Sequence, residues 1–462
     1  MSSRLIPLLP MQAWFLTELA TTMVSPSTWN LARFIDLPAE VTDDQARHAV
    51  EAVWRAHESL RARVVRGDSG WLQELRNPDE PMPFRVIDVA HVPTSEREAL
   101  IVRVGGEIRA SCLELTAGRL VDVTLFRGGL DEPCRLLLVV HHLIADVQSL
   151  RLIVAEIEMS LIAILRAEDP PPPRADTLEA CVAGFLTYVE KCADDDLELW
   201  ARDVEPAATL PTLPRSPLAI RTWTARNHDV VLDGLGEVGR ASGTGRPDDP
   251  ELALLAGVGS AVTEVANGPV WVKVMTHGRT LRTPDGRSLL PAGARRTVGF
   301  FAIAGLMQVK PRDGRGHGAY AADLATRMAE QPNRGLAPGL IRWLRPDGQR
   351  PAIVDEACEA SGSGPLFNYR ARRRSTAASS TRIVSSSPLF APGGEDALEP
   401  KPPLVVDGTL EVECVRVSWS FDPHRFDPDL VVRLGSSAAI DTRNVLADAT
   451  RRAADHASAA QG

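Results

Sequence analysis

The chain is short of aromatic residues. Only 5% of its 462 residues are Phe, Trp or Tyr, with three tyrosines in all, so stacking platforms for bases or sugars are scarce. It also lacks any uninterrupted apolar run long enough to span a bilayer, which excludes membrane insertion through a helix. The apolar stretch 5–16 contains Pro7, Pro10 and Gln12, runs into Glu18, and has no small-residue cleavage site, so it reads as mature protein. The cysteines Cys112, Cys134, Cys181, Cys192, Cys358 and Cys414 form no CxxC pair and have no His at ligand spacing. That excludes a zinc site or disulfide framework and fits a reducing cytoplasm, with no metal expected. A surplus of positive charge is missing too: the net charge is -9, unsuited to generic nucleic-acid binding.

What is present is an ordinary globular composition, 44% apolar and 24% charged, at a length suited to two domains. Thr42, two acids after it, and Val50, Val53 and Trp54 at helical spacing predict a helix ending near His57. The stretch 120–126 alternates as a half-buried strand, and the apolar run 135–140 predicts a fully buried one. Leu150, Ile153, Val154, Ile157, Leu161 and Leu165 then recur at the helical period. The polar cluster 141–148 therefore falls on a strand-to-helix turn. Pro170 to Pro173 predict an extended connector, placing one lobe at 1–174 and a second at 175–462. In the second, 252–265 reads as helix and 270–275, 298–309 and 410–421 as strands, which makes both halves α/β layers. Residues 370–400 read as a mobile surface loop.

The sharpest feature is the run 141–146, two histidines with Asp146 four residues after the second. Alternating strand side chains point to opposite faces, so the imidazoles cannot do the same job. A neutral imidazole near pH 7 can take the proton of an amine or hydroxyl as that group attacks an acyl carbonyl. For an arbitrary His-His pair, a core pair satisfied by backbone hydrogen bonds is the blander reading.

This segment resembles the HHxxxDG signature of the nonribosomal peptide synthetase condensation-domain superfamily, which has the chloramphenicol-acetyltransferase-like fold. Other stretches resemble its elements in order: 7–12 its opening PLSPMQ, 57–61 its HExLR, 113–126 with Gly118 its next strand region, 297–301 its VGFF segment, and 367–369 its FNY. The resemblance implies two similar α/β lobes in a V-shaped pseudo-dimer with a channel between them. It implies that His142 is catalytic, that His141 and Asp146 are structural, that Arg279 pairs with Asp146, and that Val147, Ser149, Met275, Phe300 and Asn368 line the substrate channel.

The function implied is condensation-type acyl or aminoacyl transfer in nonribosomal peptide or related natural-product biosynthesis. The donor is a phosphopantetheine thioester on an acyl or peptidyl carrier protein supplied in trans, the acceptor a small amine or alcohol, and the protein itself holds no cofactor. Two departures stand out. Val147 replaces the motif glycine, and a β-branched residue is ill suited to a positive φ or a very close approach. Met275 stands where the epimerization branch, which the second lobe resembles, has its acid, and a thioether cannot transfer a proton. Alternatives with the same fold are a non-catalytic module recruiting carrier proteins or a tailoring enzyme, an epimerase-like domain, and a coenzyme-A-dependent acyltransferase. The basic run at Arg370, Arg372, Arg373 and Arg374 is read as a solvated loop in preference to a carrier-protein contact.

Overall fold

The computed structural model describes residues 3–23, 25–68, 70–129, 132–172, 174–206, 213, 226–233, 249–362, 364–371, 385–388, 404–411 and 414–459. These fall into two compact units, one drawn from 1–187, 277–302 and 378–400, the other from 188–276, 303–377 and 401–462. The proline stretch expected to close the first lobe thus lies inside the first unit, and 277–302 returns to it from the middle of the chain.

The first unit is built on a five-stranded sheet. Its strands are β2 (Asn30–Leu37), β5 (Phe84–Asp88), β6 (Val121–Arg127), β7 (Cys134–His141) and β12 (Ser385–Pro388), in the order β12-β2-β7-β6-β5. All its pairs are antiparallel except β5 with β6. As its unbroken apolar run predicts, β7 is buried along nearly its whole length, between β2 and β6. The helix Thr94–Ser111 shares a core with this sheet through Ile101, Phe34, Phe126, Leu137 and Val139. A smaller antiparallel sheet of β1 (Arg4–Ile6), β4 (Gly70–Leu75) and β3 (Ala62–Gly67) belongs to the same unit. The helix Asp43–Ala56 begins where the sequence predicts, with Thr42 accepting from the Gln45 N–H and Gln45 reaching back to the Thr42 N–H. It packs on the helix Val147–Leu165.

The second unit has a six-stranded sheet ordered β10-β9-β11-β13-β14-β8, from β8 (Arg226–Asp233), β9 (Val270–Thr276), β10 (Ile303–Val309), β11 (Leu366–Ala371), β13 (Leu404–Leu410) and β14 (Cys414–Phe421). The helices Pro250–Ala266 and Pro428–Ala459 pack together beside it. They meet closely at Gly257, where a Cβ would lie 2.3 Å from the Thr442 hydroxyl.

Two expected strands change. Of 298–309 only 303–309 is strand, because the amides of Phe301 and Ala302 turn to Asp146 instead of to a neighbouring strand. The stretch 410–421 joins the last residue of β13 to all of β14, which run antiparallel to each other. The expected loop 370–400 lies mostly outside the described residues, as do Arg372, Arg373 and Arg374. Within it 370–371 end β11 and 385–388 form β12, while Arg370 pairs with Asp407 at 2.8 Å. All six cysteines are free, and among the described residues no helix is long and apolar enough to cross a membrane.

Candidate active site

The strand-to-helix turn forms where β7 stops at His141 and the 147–165 helix starts at Val147. Asp146 caps that helix by accepting the Ser149 N–H at 2.7 Å. Between them Leu143, Ile144 and Ala145 are buried, so their backbone groups need partners. These come from distant sequence. Gln12 donates its amide to the Leu143 carbonyl at 3.1 Å, Ser59 its hydroxyl to the Ile144 carbonyl at 2.6 Å, and the His142 and Asp146 amides bond the carbonyls of Trp29 and Gly299. The PLLPMQ and HESLR stretches are thus the supports of the turn.

The two histidines divide as strand geometry requires. His141 is fully buried, donates from Nε2 to the Pro26 carbonyl at 2.9 Å and accepts the Leu143 N–H on Nδ1 at 3.0 Å, partners that assign its neutral tautomer. Burial, opposed by the hydrogen bond to Pro26 and aided by the adjacent His142, pushes its pKa down to about 4. Both ring nitrogens of His141 are thus committed to backbone groups.

His142 is a half-buried residue. Its ring stacks on Trp29 with centroids 4.4 Å apart and planes 10° apart, and meets Phe300 at 4.6 Å. Trp29 in turn stacks on Phe15 at 4.6 Å, so the imidazole closes an aromatic pile. Burial pushes the His142 pKa down to about 4, against a hydrogen bond to its own backbone and the charge of Asp146, which both raise it. Nδ1 is buried and makes no hydrogen bond among the described residues. A neutral ring protonated on Nδ1 presents a lone pair on Nε2, the arrangement a general base needs.

Asp146 collects five donors. Arg279 approaches end-on, Nη1 to Oδ2 at 2.7 Å and Nη2 to Oδ1 at 3.0 Å; the Ser149 amide reaches Oδ1, and the amides of Phe301 and Ala302 reach Oδ2 at 3.1 and 3.0 Å. Burial alone would raise this carboxyl, but the Arg279 charge and the hydrogen bonds outweigh it and hold the pKa low. Arg279 sits over the Phe301 ring at 4.5 Å and donates to the Ser149 hydroxyl at 2.8 Å.

The remaining candidates separate. Val147 has the ordinary helical backbone of a first-turn residue and is not among the residues with positive φ, so the turn does not demand glycine for its conformation. Phe300 lies against the His142 ring. Ser149 is a correction: it is fully buried, its hydroxyl spent on Gly299 and Arg279, and it braces the turn instead of lining open space. Met275 on β9 and Asn368 on β11, which donates to Asp407 at 2.8 Å, both belong to the second unit. Sequence reasoning missed Trp29 and Phe15, for which the only signal was that large aromatics are rare here. Among the described residues no group of three or more His, Cys, Asp or Glu is placed to hold a metal ion.

Residues 2–212 match the Condensation domain family. A linear gramicidin synthase of Brevibacillus parabrevis is 24% identical over 97% of this chain, and chondramide synthase cmdD of Chondromyces crocatus 25% over 95%. The chain spans only 6% and 11% of those two proteins. In fold it is similar to the epimerization domain from the third module of tyrocidine synthetase B, at a TM-score of 0.75 and 18% identity, covering 97% of this chain and 98% of that one. The first condensation domain of the calcium-dependent antibiotic synthetase gives a TM-score of 0.67 at 18% identity, covering 96% and 97%. The family match thus covers residues 2–212, just under half of the chain, while the solved structures share its fold over nearly all of it.

Proposed function

We propose that the protein forms an amide or ester bond by transferring an acyl or aminoacyl group from a carrier-protein phosphopantetheine thioester to an amine or alcohol. His142 takes the proton from the acceptor nitrogen or oxygen as that atom attacks the thioester carbonyl. The tetrahedral adduct collapses, the C–S bond breaks, and the proton returns to the departing thiolate. One imidazole suffices, and no second acid is invoked at Met275. The observation that carries this reading is the state of His142: an uncharged ring with its Nδ1 side sealed and its plane fixed between Trp29 and Phe300. Asp146 acts on the shape of the turn, because all its donors are on the protein and none is the His142 ring.

The test is to load a panel of carrier proteins with acyl donors, add candidate amines and alcohols, and follow product by mass spectrometry for wild type and His142→Ala. Product from wild type and none from a variant with an intact circular dichroism spectrum supports the reading. Wild-type protein that binds loaded carriers but makes no product points to recruitment without chemistry, and product from a soluble acyl-coenzyme A alone points to a carrier-independent acyltransferase.

A further inference from the structure

Behind the turn, on the first unit, lies a cavity of about 360 Å³, within the range of small-ligand sites. Its wall carries four arginines, Arg4, Arg55, Arg61 and Arg76, against two carboxylates, Glu58 and Asp176. Both acids are engaged. Glu58 accepts from Arg4 at 2.7 Å and from the Leu178 N–H at 2.9 Å, and Asp176 accepts the Gly293 N–H.

Arg61 is the unusual member. It is 4% exposed, yet among the described residues no carboxylate bonds it. Nη1 is spent on the carbonyls of Trp54, Arg55 and His57 and Nε on that of Arg76, while Nη2 has no hydrogen bond among the described residues and is not one of the sealed polar atoms. A buried guanidinium is normally matched by an anion, since its desolvation is otherwise uncompensated. Arg55, exposed on the rim, adds positive charge beside it, while Arg76 is ion-paired with Glu80 at 3.0 Å, and the charges of Glu58, Glu80 and Asp79 act on Arg61 without bonding it.

We propose that this cavity is a binding site for a small molecule bearing a phosphate or carboxylate group, which is met by the Arg61 guanidinium with Arg55 and Arg76 beside it. His142 is not among the residues lining this cavity, and the proposal does not depend on acyl transfer. Ser59, which holds the Ile144 carbonyl, and Thr297 and Val298, which lead into Gly299 and Phe300, also line the cavity, so an occupant touches the supports of the turn.

Titration calorimetry of the full chain with sodium phosphate, and separately with citrate, in chloride at fixed ionic strength tests this. The expected result is saturable binding of one ligand, weakened about tenfold by Arg55→Gln and by Arg76→Gln, as loss of one charge-assisted contact implies, and unchanged in His142→Ala. Arg61→Gln abolishes it, but Arg61 also ties backbone carbonyls, so the rim variant Arg55→Gln is the deciding one. Binding of phosphate alone identifies a phosphate ester as the ligand class, and binding of citrate alone a carboxylate. No saturable heat with either, or binding that Arg55→Gln leaves unchanged, overturns the proposal.

Discussion

The indole of Trp29 lies parallel to the imidazole of His142, 10° from coplanar and 4.4 Å away, while the Trp29 carbonyl accepts the His142 backbone N–H at 2.9 Å. One residue thus fixes both the plane of the ring and the strand end that carries it. Trp29 is itself buried and stacked on Phe15, so its position is not free to follow the histidine.

Trp29→Leu removes that plane. It is expected to cost about 3 kcal/mol of stability, as for a large buried aromatic, and to lower the rate of acyl transfer more than Trp29→Phe, which keeps a flat ring. Urea unfolding and single-turnover rates of the two variants measure the effects; equal rates for Leu and Phe would remove the positioning role.

Arg279→Ala leaves the Asp146 carboxylate buried without its counter-charge and is expected to destabilise the fold by about 3 to 5 kcal/mol. Ser149→Ala strips an acceptor from both Arg279 and the Gly299 N–H, and the expected loss is about 1 to 3 kcal/mol. Because these residues share one network, the double variant should lose less than the sum. Chemical denaturation of the three proteins measures the coupling.

Stability should fall with acid in two stages. His141 and His142 have pKa values near 4 when folded, below about 6.5 unfolded, so the unfolded chain binds more protons between those values. Their contribution is complete above about pH 6.5 and is lost as pH falls toward 4. Asp146, also depressed, contributes above its unfolded value and loses that contribution only at lower pH still. Urea midpoints across pH 3 to 8 test this, and His142→Gln should flatten the upper stage. The rate of acyl transfer should correspondingly show no His142 inflection between pH 5 and 8.

Gly299→Ala should be destabilising although Gly299 has no unusual backbone angle. A Cβ there would lie 2.6 Å from the Phe301 ring, which is itself held under Arg279. A cost of about 1 to 3 kcal/mol is expected from overpacking, read by thermal unfolding. Val147→Gly, in contrast, changes only a first-turn helix residue and should cost under about 1 kcal/mol.

Much of this was legible in the chain because it rests on local periodicity. The buried strand β7, the 147–165 helix and the Thr42-capped helix follow from spacing and capping chemistry that neighbouring residues settle among themselves. The order of the motifs pointed to the Arg279 to Asp146 pair, though 133 residues separate them. What local pattern cannot carry is long-range satisfaction of backbone groups. The stretch 298–302 reads as strand by composition, but its amides are claimed by a carboxylate far away in sequence. Ser149 reads as a wall residue until Gly299 and Arg279 take its hydroxyl. Local order along the chain was enough to set the two histidines at the end of a buried strand, on opposite faces, just ahead of a helix. That Trp29 and Phe300 flank the second histidine was settled by folding in three dimensions, because ring stacking between residues more than a hundred positions apart leaves no trace in spacing or propensity.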